Sequence, residues 1–248
     1  MPSLWFVTPA WQRFELTRIC LEQRRQVCDE LLERFGLEAT CVVVADDENL
    51  NLAEEFGFET VERDNQWLGQ KFNDGYEAAA LAGADYVYAI GSDSWIDPDY
   101  FAELPGLGEV RMSRFVSIVR SDGRERMDLD VVYPSGGYGA AAIVPVQLFA
   151  ARGYRPCKER ISSGMEASAW RRSFGRSAER LWPDGRAREL VNFQSETQVT
   201  PYRALRKWAI EIDQADPLGA LRPIYGDELV ARIEAFYAAR QIQTGVFA

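Results

Sequence analysis

The strongest constraint on the fold is an alternation. Over the first hundred residues, short apolar runs and amphipathic stretches follow one another three times, and each apolar run breaks off into polar residues. Leu4–Thr8 (LWFVT) is stopped by Pro9 and reads as a buried strand. Residues 14–35 place Leu16, Ile19, Cys20, Val27, Leu31 and Phe35 at a helical period, and Gly36 follows as a C-terminal stop. Glu38–Ala45 is a second strand, Asn49–Phe56 a short helix and Phe58–Glu62 a short strand. Leu68–Ala82 is a helix closed by Gly83, and Asp85–Ile90 is a further strand. Repeats of this kind build a parallel sheet covered by helices. Ligands of such sheets sit beyond the carboxyl ends of the strands. The polar clusters Thr8-Pro9, Asp46-Asp47 and Ser92-Asp93 all fall there.

The second half is less regular. Arg114–Arg120 and Leu129–Tyr133 read as a hairpin around Ser121-Asp122-Gly123. Ser135–Gly139 reads as a loop and Ala140–Val144 as an apolar run, after which Pro145 opens a helix to Arg152. Gly164–Ser173 reads as a helix and Arg188–Phe193 as an edge strand. A final helix over Asp227–Arg240 carries Leu229, Ile233, Phe236 and Tyr237 on one face.

Composition narrows the chemistry. The chain has 248 residues, 47% of them hydrophobic, and not one is histidine. Ser-His-Asp and Cys-His catalysis, HExxH zinc sites and imidazole bases are therefore excluded. Acid–base work near neutral pH falls to carboxylates, Lys, Tyr, Cys or a metal-bound group. The four cysteines, Cys20, Cys28, Cys41 and Cys157, form no CxxC and read as reduced thiols of a cytoplasmic protein. No run approaches the roughly 18 apolar residues of a membrane span, and the opening lacks a signal-peptide pattern. There is no GxGxxG after the first strand, no GxxxxGK[ST] and no GxSxG. Charge is unevenly spread: residues 1–110 hold 7 Lys/Arg against 22 Asp/Glu (net −15), and residues 152–188 hold 10 against 4 (net +6). A basic segment on an acidic protein suits a locally bound anion, or simply a solvated face.

What remains is carboxylates and a few cations. Asp93, just after a buried strand, can hold a divalent cation that clamps a diphosphate, or can cap a turn. Asp46 and Asp47 can accept from a base N–H or ribose hydroxyls, or cap the next helix. Arg13 and Lys71 can face a phosphate, or simply be solvated at the surface. Glu166, in SSGMEASAWRR, can take a proton from a hydroxyl as general base, or pair with Arg171 or Arg172.

In order, these pieces resemble the GT-A glycosyltransferases, in particular the family 2-like nucleotide-sugar transferases. WFVTPAWQRFELTRICLEQ looks like that family's first strand and the helix after it, and CVVVADDEN like its second strand with a terminal acidic pair. Residues 64–101 look like its N-x-G helix and the strand ending in the DxD region. Residues 139–172 resemble its acceptor-side block, which normally ends in a Glu-Asp pair. GSDS and the later VTPY also look like glycosyltransferase-like proteins encoded by bacteriophages.

The resemblance implies an α/β, GT-A-like, Rossmann-related fold: a mostly parallel sheet flanked by helices, with a helical C-terminal extension. It implies a nucleotide-sugar half over 1–110, an acceptor half over 111–194 and the extension over 195–248. It places Thr8, Pro9 and Arg13 in the nucleotide pocket, Asp46 and Asp47 on base and ribose, and Lys71 and Ser92 near the nucleotide or its phosphates. Asp93 then matches the last Asp of DxD and implies Mn²⁺ or Mg²⁺, and Glu166 matches the base of inverting members. Two positions depart from the pattern: Gly91 stands at the first DxD position and Met165 at the first acid of the Glu-Asp pair. Without histidine, a metal shell needs water, phosphate oxygens or a carboxylate such as Asp213 or Asp216.

The expected activity is transfer of a sugar from a UDP- or GDP-sugar to a hydroxyl acceptor by inversion. Three other readings share these features. They are a transferase acting on modified bases of phage DNA, a GT-A-like protein that binds without catalysis, and a sugar nucleotidyltransferase, which lacks support because no Gly-rich phosphate loop opens the chain.

Overall fold

A computed structural model describes residues 1–46, 48–102, 104, 111–113, 116–121, 127–132, 142–160, 178–180, 190–193, 209–211 and 218–244. The described strands are β1 (Ser3–Pro9), β2 (Glu38–Ala45), β3 (Glu59–Glu62), β4 (Tyr86–Ala89), β5 (Ser94–Ile96), β6 (Arg111–Ser113), β7 (Val116–Ser121), β8 (Met127–Val132), β9 (Ala142–Pro145), β10 (Ala178–Arg180), β11 (Leu190–Phe193) and β12 (Ala209–Glu211). The described α-helices are α1 (Phe14–Phe35), α2 (Asn49–Glu55), α3 (Leu68–Leu81), α4 (Arg222–Tyr225) and α5 (Asp227–Thr244). One sheet runs β10-β6-β9-β4-β1-β2-β3 and a second runs β12-β8-β7-β11-β5. In the first, β1 pairs in parallel with β2 and β4, β2 with β3, and β6 with β10, while β9 runs antiparallel to β4 and β6. This is the expected mostly parallel, helix-flanked α/β sheet.

Period-two alternation assigns the two faces of the first sheet. Leu4, Phe6, Cys41, Val43 and Tyr88 point to the side covered by α1, where Leu21, Val27, Cys28 and Leu31 meet them. Val7, Val42, Val44 and Val87 point to the other side, under Phe72, Tyr76 and Ala79 of α3. The approach of α3 needs a glycine: a Cβ at Gly75 would collide with the Val7 side chain and stand 3.2 Å from Val44 Cγ2. Helix α1 ends as its sequence directs, with Gly36 left-handed and its N–H, like that of Leu37, bonded back to Leu32 and Leu31 carbonyls.

The C-terminal residues are part of the same body. Leu229, Val230, Ile233 and Phe236 of α5 cover Leu16, Ile19 and Cys20 of α1, together with Trp95 and Phe193. Arg232 pairs with Glu22 across that interface. This segment also adds a strand, β12, to the second sheet.

Several expectations shift. Residues 188–193 read as an edge strand, but β11 lies between β7 and β5 and pairs with both. Its four residues are all buried, which an edge does not require. Pro145 ends β9, and the helix after it is a 3₁₀ stretch over Val146–Arg152 closed by left-handed Gly153. The hairpin forms as β7 and β8, antiparallel from Val116↔Val132 to Ser121↔Met127. The loop at 135–139 and the helix at 164–173 lie outside the described residues.

Candidate functional site

The chain leaves β1 toward β2 and β3, then returns to β4 on the other side of β1. The carboxyl ends of β1 and β4 therefore form a topological switch point, the place where open α/β sheets bind their ligands. The segments leaving these two strands, Ala10–Arg13 and Gly91–Asp93, carry the polar residues of interest.

The first segment is a tight, strained turn. Gln12 and Arg13 both have φ near 53°, in the left-handed region that non-glycine residues seldom occupy. Such conformations cost on the order of 1–3 kcal/mol each and persist only where surroundings over-determine them. Three side chains do that here. Lys71 Nζ, 1% exposed, donates to the Ala10 carbonyl at 2.7 Å. Asn49 Nδ2, on α2, donates to the Gln12 carbonyl at 3.3 Å. Arg13 itself reaches across to the second segment, where Nη1 meets Asp93 Oδ2 at 2.7 Å and Nη2 meets Ser92 Oγ at 3.3 Å.

Asp93 is the hub. Its Oδ1 accepts from Ser94 Oγ at 3.1 Å and from Asn192 Nδ2 at 3.0 Å, while Oδ2 takes Arg13. Its carbonyl accepts from the Phe193 N–H at 2.8 Å, which ties the cluster to β11. The side chains of Arg13 and Asp93 are 12% and 7% exposed, so the pair is largely screened from bulk water. Gly91 is required by this arrangement, because a Cβ there would collide with Asp93 Oδ1. The carboxylate folds back over the Gly91 backbone. Beneath the cluster, burial and the Asp93 charge push the Cys20 thiol and the Tyr237 phenol upward, so both stay neutral. Arg24 is fully buried under β5, donates to the Ser94 carbonyl at 3.0 Å and lies 4.9 Å from the Phe6 ring centroid. Burial pulls its pKa down.

The other expected residues are distributed as follows. Thr8 is buried with its hydroxyl turned to the α1 side, where it accepts from the Cys41 thiol at 3.5 Å. Pro9 is the last residue of β1. Ser92 is buried against Arg13. Asp46 is exposed at the end of β2 and accepts from the Asn65 N–H at 3.1 Å. Asp47 and Glu166 lie outside the described residues, as do Met165, Asp213 and Asp216. The structure thus brings Arg13, Ser92 and Asp93 into one cluster, with Lys71 bracing the turn that carries Arg13.

A second construction leads toward the basic segment. Asn73, fully buried on α3, brackets the Cys157 peptide: Nδ2 donates to its carbonyl at 2.9 Å and Oδ1 accepts from its N–H at 2.8 Å. One turn earlier, a Cβ at Gly69 would collide with the Lys158 carbonyl oxygen. Next to Asn73, Asp74 receives Arg155 Nη1 at 2.9 Å and also pairs with Arg63, while Arg155 reaches Glu77 at 2.7 Å. One face of α3 therefore clamps residues 155–158, which lead into the segment bearing Glu166.

Sequence reading missed Asn192, Ser94, Asn49 and this clamp. Asn192 carries a usable signal, a lone amide inside the apolar run Leu190–Phe193. A buried polar side chain needs partners, and here they are Asp93 and Ser94.

Among the described residues, the set around Asp93 does not fit a divalent cation. Mn²⁺ or Mg²⁺ needs several oxygen ligands with accessible lone pairs. Both Asp93 oxygens are engaged by N–H and O–H donors, one of them a guanidinium. Gly91 offers no ligand, the chain has no histidine, and the described residues contain no group of three or more Cys, Asp or Glu that could hold a metal.

No family model matches the chain, and neither does any curated protein. Solved structures do match. A crystal structure of S. aureus TarS residues 1–349 superposes with a TM-score of 0.55 at 13% identity, covering 78% of this chain and 60% of that one. The same fragment in complex with UDP gives 0.54 at 14% identity, covering 79% and 61%. Mannosyltransferase PcManGT from Pyrobaculum calidifontis, in complex with GDP-Man and Mn²⁺, matches more loosely, at 0.47 and 13% identity over 84% and 59%. The chain spans about three-fifths of the TarS fragment. No described helix is long and apolar enough to cross a membrane. At these identities the likeness establishes the architecture, and the chain has a GT-A-like fold.

Proposed function

We propose that this chain is a glycosyltransferase that moves a sugar from a nucleoside diphosphate sugar to a hydroxyl acceptor. The observation that carries the reading is the Arg13–Asp93–Asn192 cluster at the switch point between β1 and β4 of a GT-A-like sheet. The UDP in the TarS complex supports a donor of this class. The donor nucleotide lies across the carboxyl ends of β1, β2 and β4. Pro9 and the backbone around Thr8 floor the pocket, Asp46 and Asp47 accept from the base and ribose, and Ser92 and Arg13 face the diphosphate. Lys71 holds the turn that aims Arg13.

Glu166 takes the proton of the acceptor hydroxyl as its oxygen attacks the anomeric carbon. The bond to the diphosphate oxygen breaks on the opposite face, so the reaction inverts in one displacement. The basic residues between 152 and 188 receive an anionic acceptor, for which modified phage DNA is one chemistry that fits. Residues 1–110 supply the donor half, 111–194 the acceptor half, and 195–248 an extension.

The test is a panel of UDP- and GDP-sugars scored by thermal shift, because a ligand of the native state raises the melting temperature by mass action. Donors that bind are then followed for transfer and hydrolysis. Glu166→Gln is expected to abolish transfer and spare binding; loss of binding would make Glu166 structural. Gly91, where a carboxylate is missing, favours a second reading, a protein that binds the donor without turning it over. Binding without hydrolysis or transfer selects that reading, and no binding of any donor removes both.

A further inference from the structure

We infer that Arg13, held by Asp93, is the counter-charge for the donor diphosphate in place of a divalent cation, so that nucleotide binding by this chain needs no metal. The inference rests on the nucleotide-sugar reading above and changes what that reading implies for Asp93, which becomes a positioning residue for an arginine rather than a metal ligand.

Four observations converge. Asp93 Oδ2 already carries a charge-assisted bond from Arg13 Nη1 at 2.7 Å. Its Oδ1 receives two further donors, Asn192 Nδ2 at 3.0 Å and Ser94 Oγ at 3.1 Å. A cation approaching Oδ2 meets the Arg13 guanidinium at the same oxygen, and one approaching Oδ1 meets the Ser94 and Asn192 donors. Second, Gly91 excludes the partner carboxylate, since even a Cβ there collides with Asp93. Restoring an acid at that position would drive the Asp93 carboxylate off its donors. Third, the absence of histidine removes the imidazole that could finish a metal shell. Fourth, the turn carrying Arg13 is braced beyond what chain reversal requires, with two consecutive left-handed residues pinned by Lys71 and Asn49. That strain fixes where the guanidinium stands.

The chemistry suits the role. A guanidinium is always charged and presents five N–H donors in a planar fork. It can rest one edge on a carboxylate and turn another to phosphate oxygens. Arg13 also precedes the first turn of the 22-residue helix α1, whose partial positive charge adds to the same corner. A fixed guanidinium meets charge developing on the leaving diphosphate without an ion having to be recruited.

The experiment is calorimetric titration of the intact protein with UDP and with GDP, in excess EDTA and then with Mn²⁺ or Mg²⁺. It is paired with a direct Mn²⁺ titration followed by electron paramagnetic resonance. The expected results are affinity that chelation changes less than about threefold, and no stoichiometric Mn²⁺ uptake. Losing a charge-assisted bond of this kind weakens binding roughly tenfold to a hundredfold, which is the drop expected for Arg13→Ala. Arg13→Lys recovers part of it, and Asp93→Asn weakens binding equally with and without metal. Binding that vanishes in EDTA, or Mn²⁺ uptake that Asp93→Asn abolishes, overturns the inference while leaving the donor reading intact. Failure of both nucleotides to bind under every condition overturns the donor reading itself, and the inference with it.

Discussion

Replacing Asn73 by alanine tests whether α3 truly clamps the segment after β9. The Asn73 side chain is fully buried and bonds both the C=O and the N–H of Cys157, at 2.9 and 2.8 Å. Each such bond contributes about 1 kcal/mol net, and leaving a buried peptide group without a partner costs about 1–3 kcal/mol. Cys157 is half-buried, so water can take up part of the loss. The sum for Asn73→Ala is about 2–4 kcal/mol. A chain of this size loses roughly 2–4 °C of melting temperature per kcal/mol, which places the shift at about 4–16 °C. Calorimetry reads the shift, and hydrogen exchange of the Cys157 amide reads its local origin, because that N–H loses its acceptor. A melting temperature within about 2 °C of the parent, with Cys157 protection unchanged, would refute the clamp.

Two further outcomes follow from burial. Desolvation holds the Asp97 carboxyl above its ordinary value of 3.8. Folding therefore takes up a proton there, and the Asp97 contribution to stability falls as pH rises from 3.8 through the raised folded value. Asparagine keeps the acceptor for the Asp99 N–H, now bonded at 2.9 Å, and carries no charge. Asp97→Asn is expected to exceed the parent in urea midpoint at neutral pH, with the gap closing in acid; a gap independent of pH contradicts this. The thiols give the second outcome. Burial pushes Cys28 up to about 12 and raises Cys20 and Cys41 as well, whereas Cys157 is half-exposed. A disulfide reagent is expected to modify Cys157 quickly in the native protein and the other three on unfolding; two or more fast thiols would contradict that packing.

Much of the first half is legible because its signals are local. The period of α1, the Gly36 stop, the run CVVVA and the strand end at Asp93 each occupy one short stretch of chain. The second sheet is legible only in pieces. Its hairpin and the strand at 188–193 are read, but β5 and β12, with three residues each, are too short for a period to show, and the order that sets β11 between β7 and β5 has no local signal. Asn192 meets Asp93 across 99 positions of sequence, and no local pattern encodes that pairing.

By itself, then, the sequence determined the strand–helix order of the first half, the buried faces of α1 and α5, the carboxylates left at the strand ends and the impossibility of imidazole chemistry. Hydrophobic period and residue identity are properties of neighbours along the chain, and they survive without a fold. Only the tertiary structure decided which side chains Asp93 meets. Whether a carboxylate holds an ion or an arginine depends on which donors stand within about 3 Å of its oxygens. Arg13 arrives from a strained turn 80 residues upstream and Asn192 from a strand 99 residues downstream.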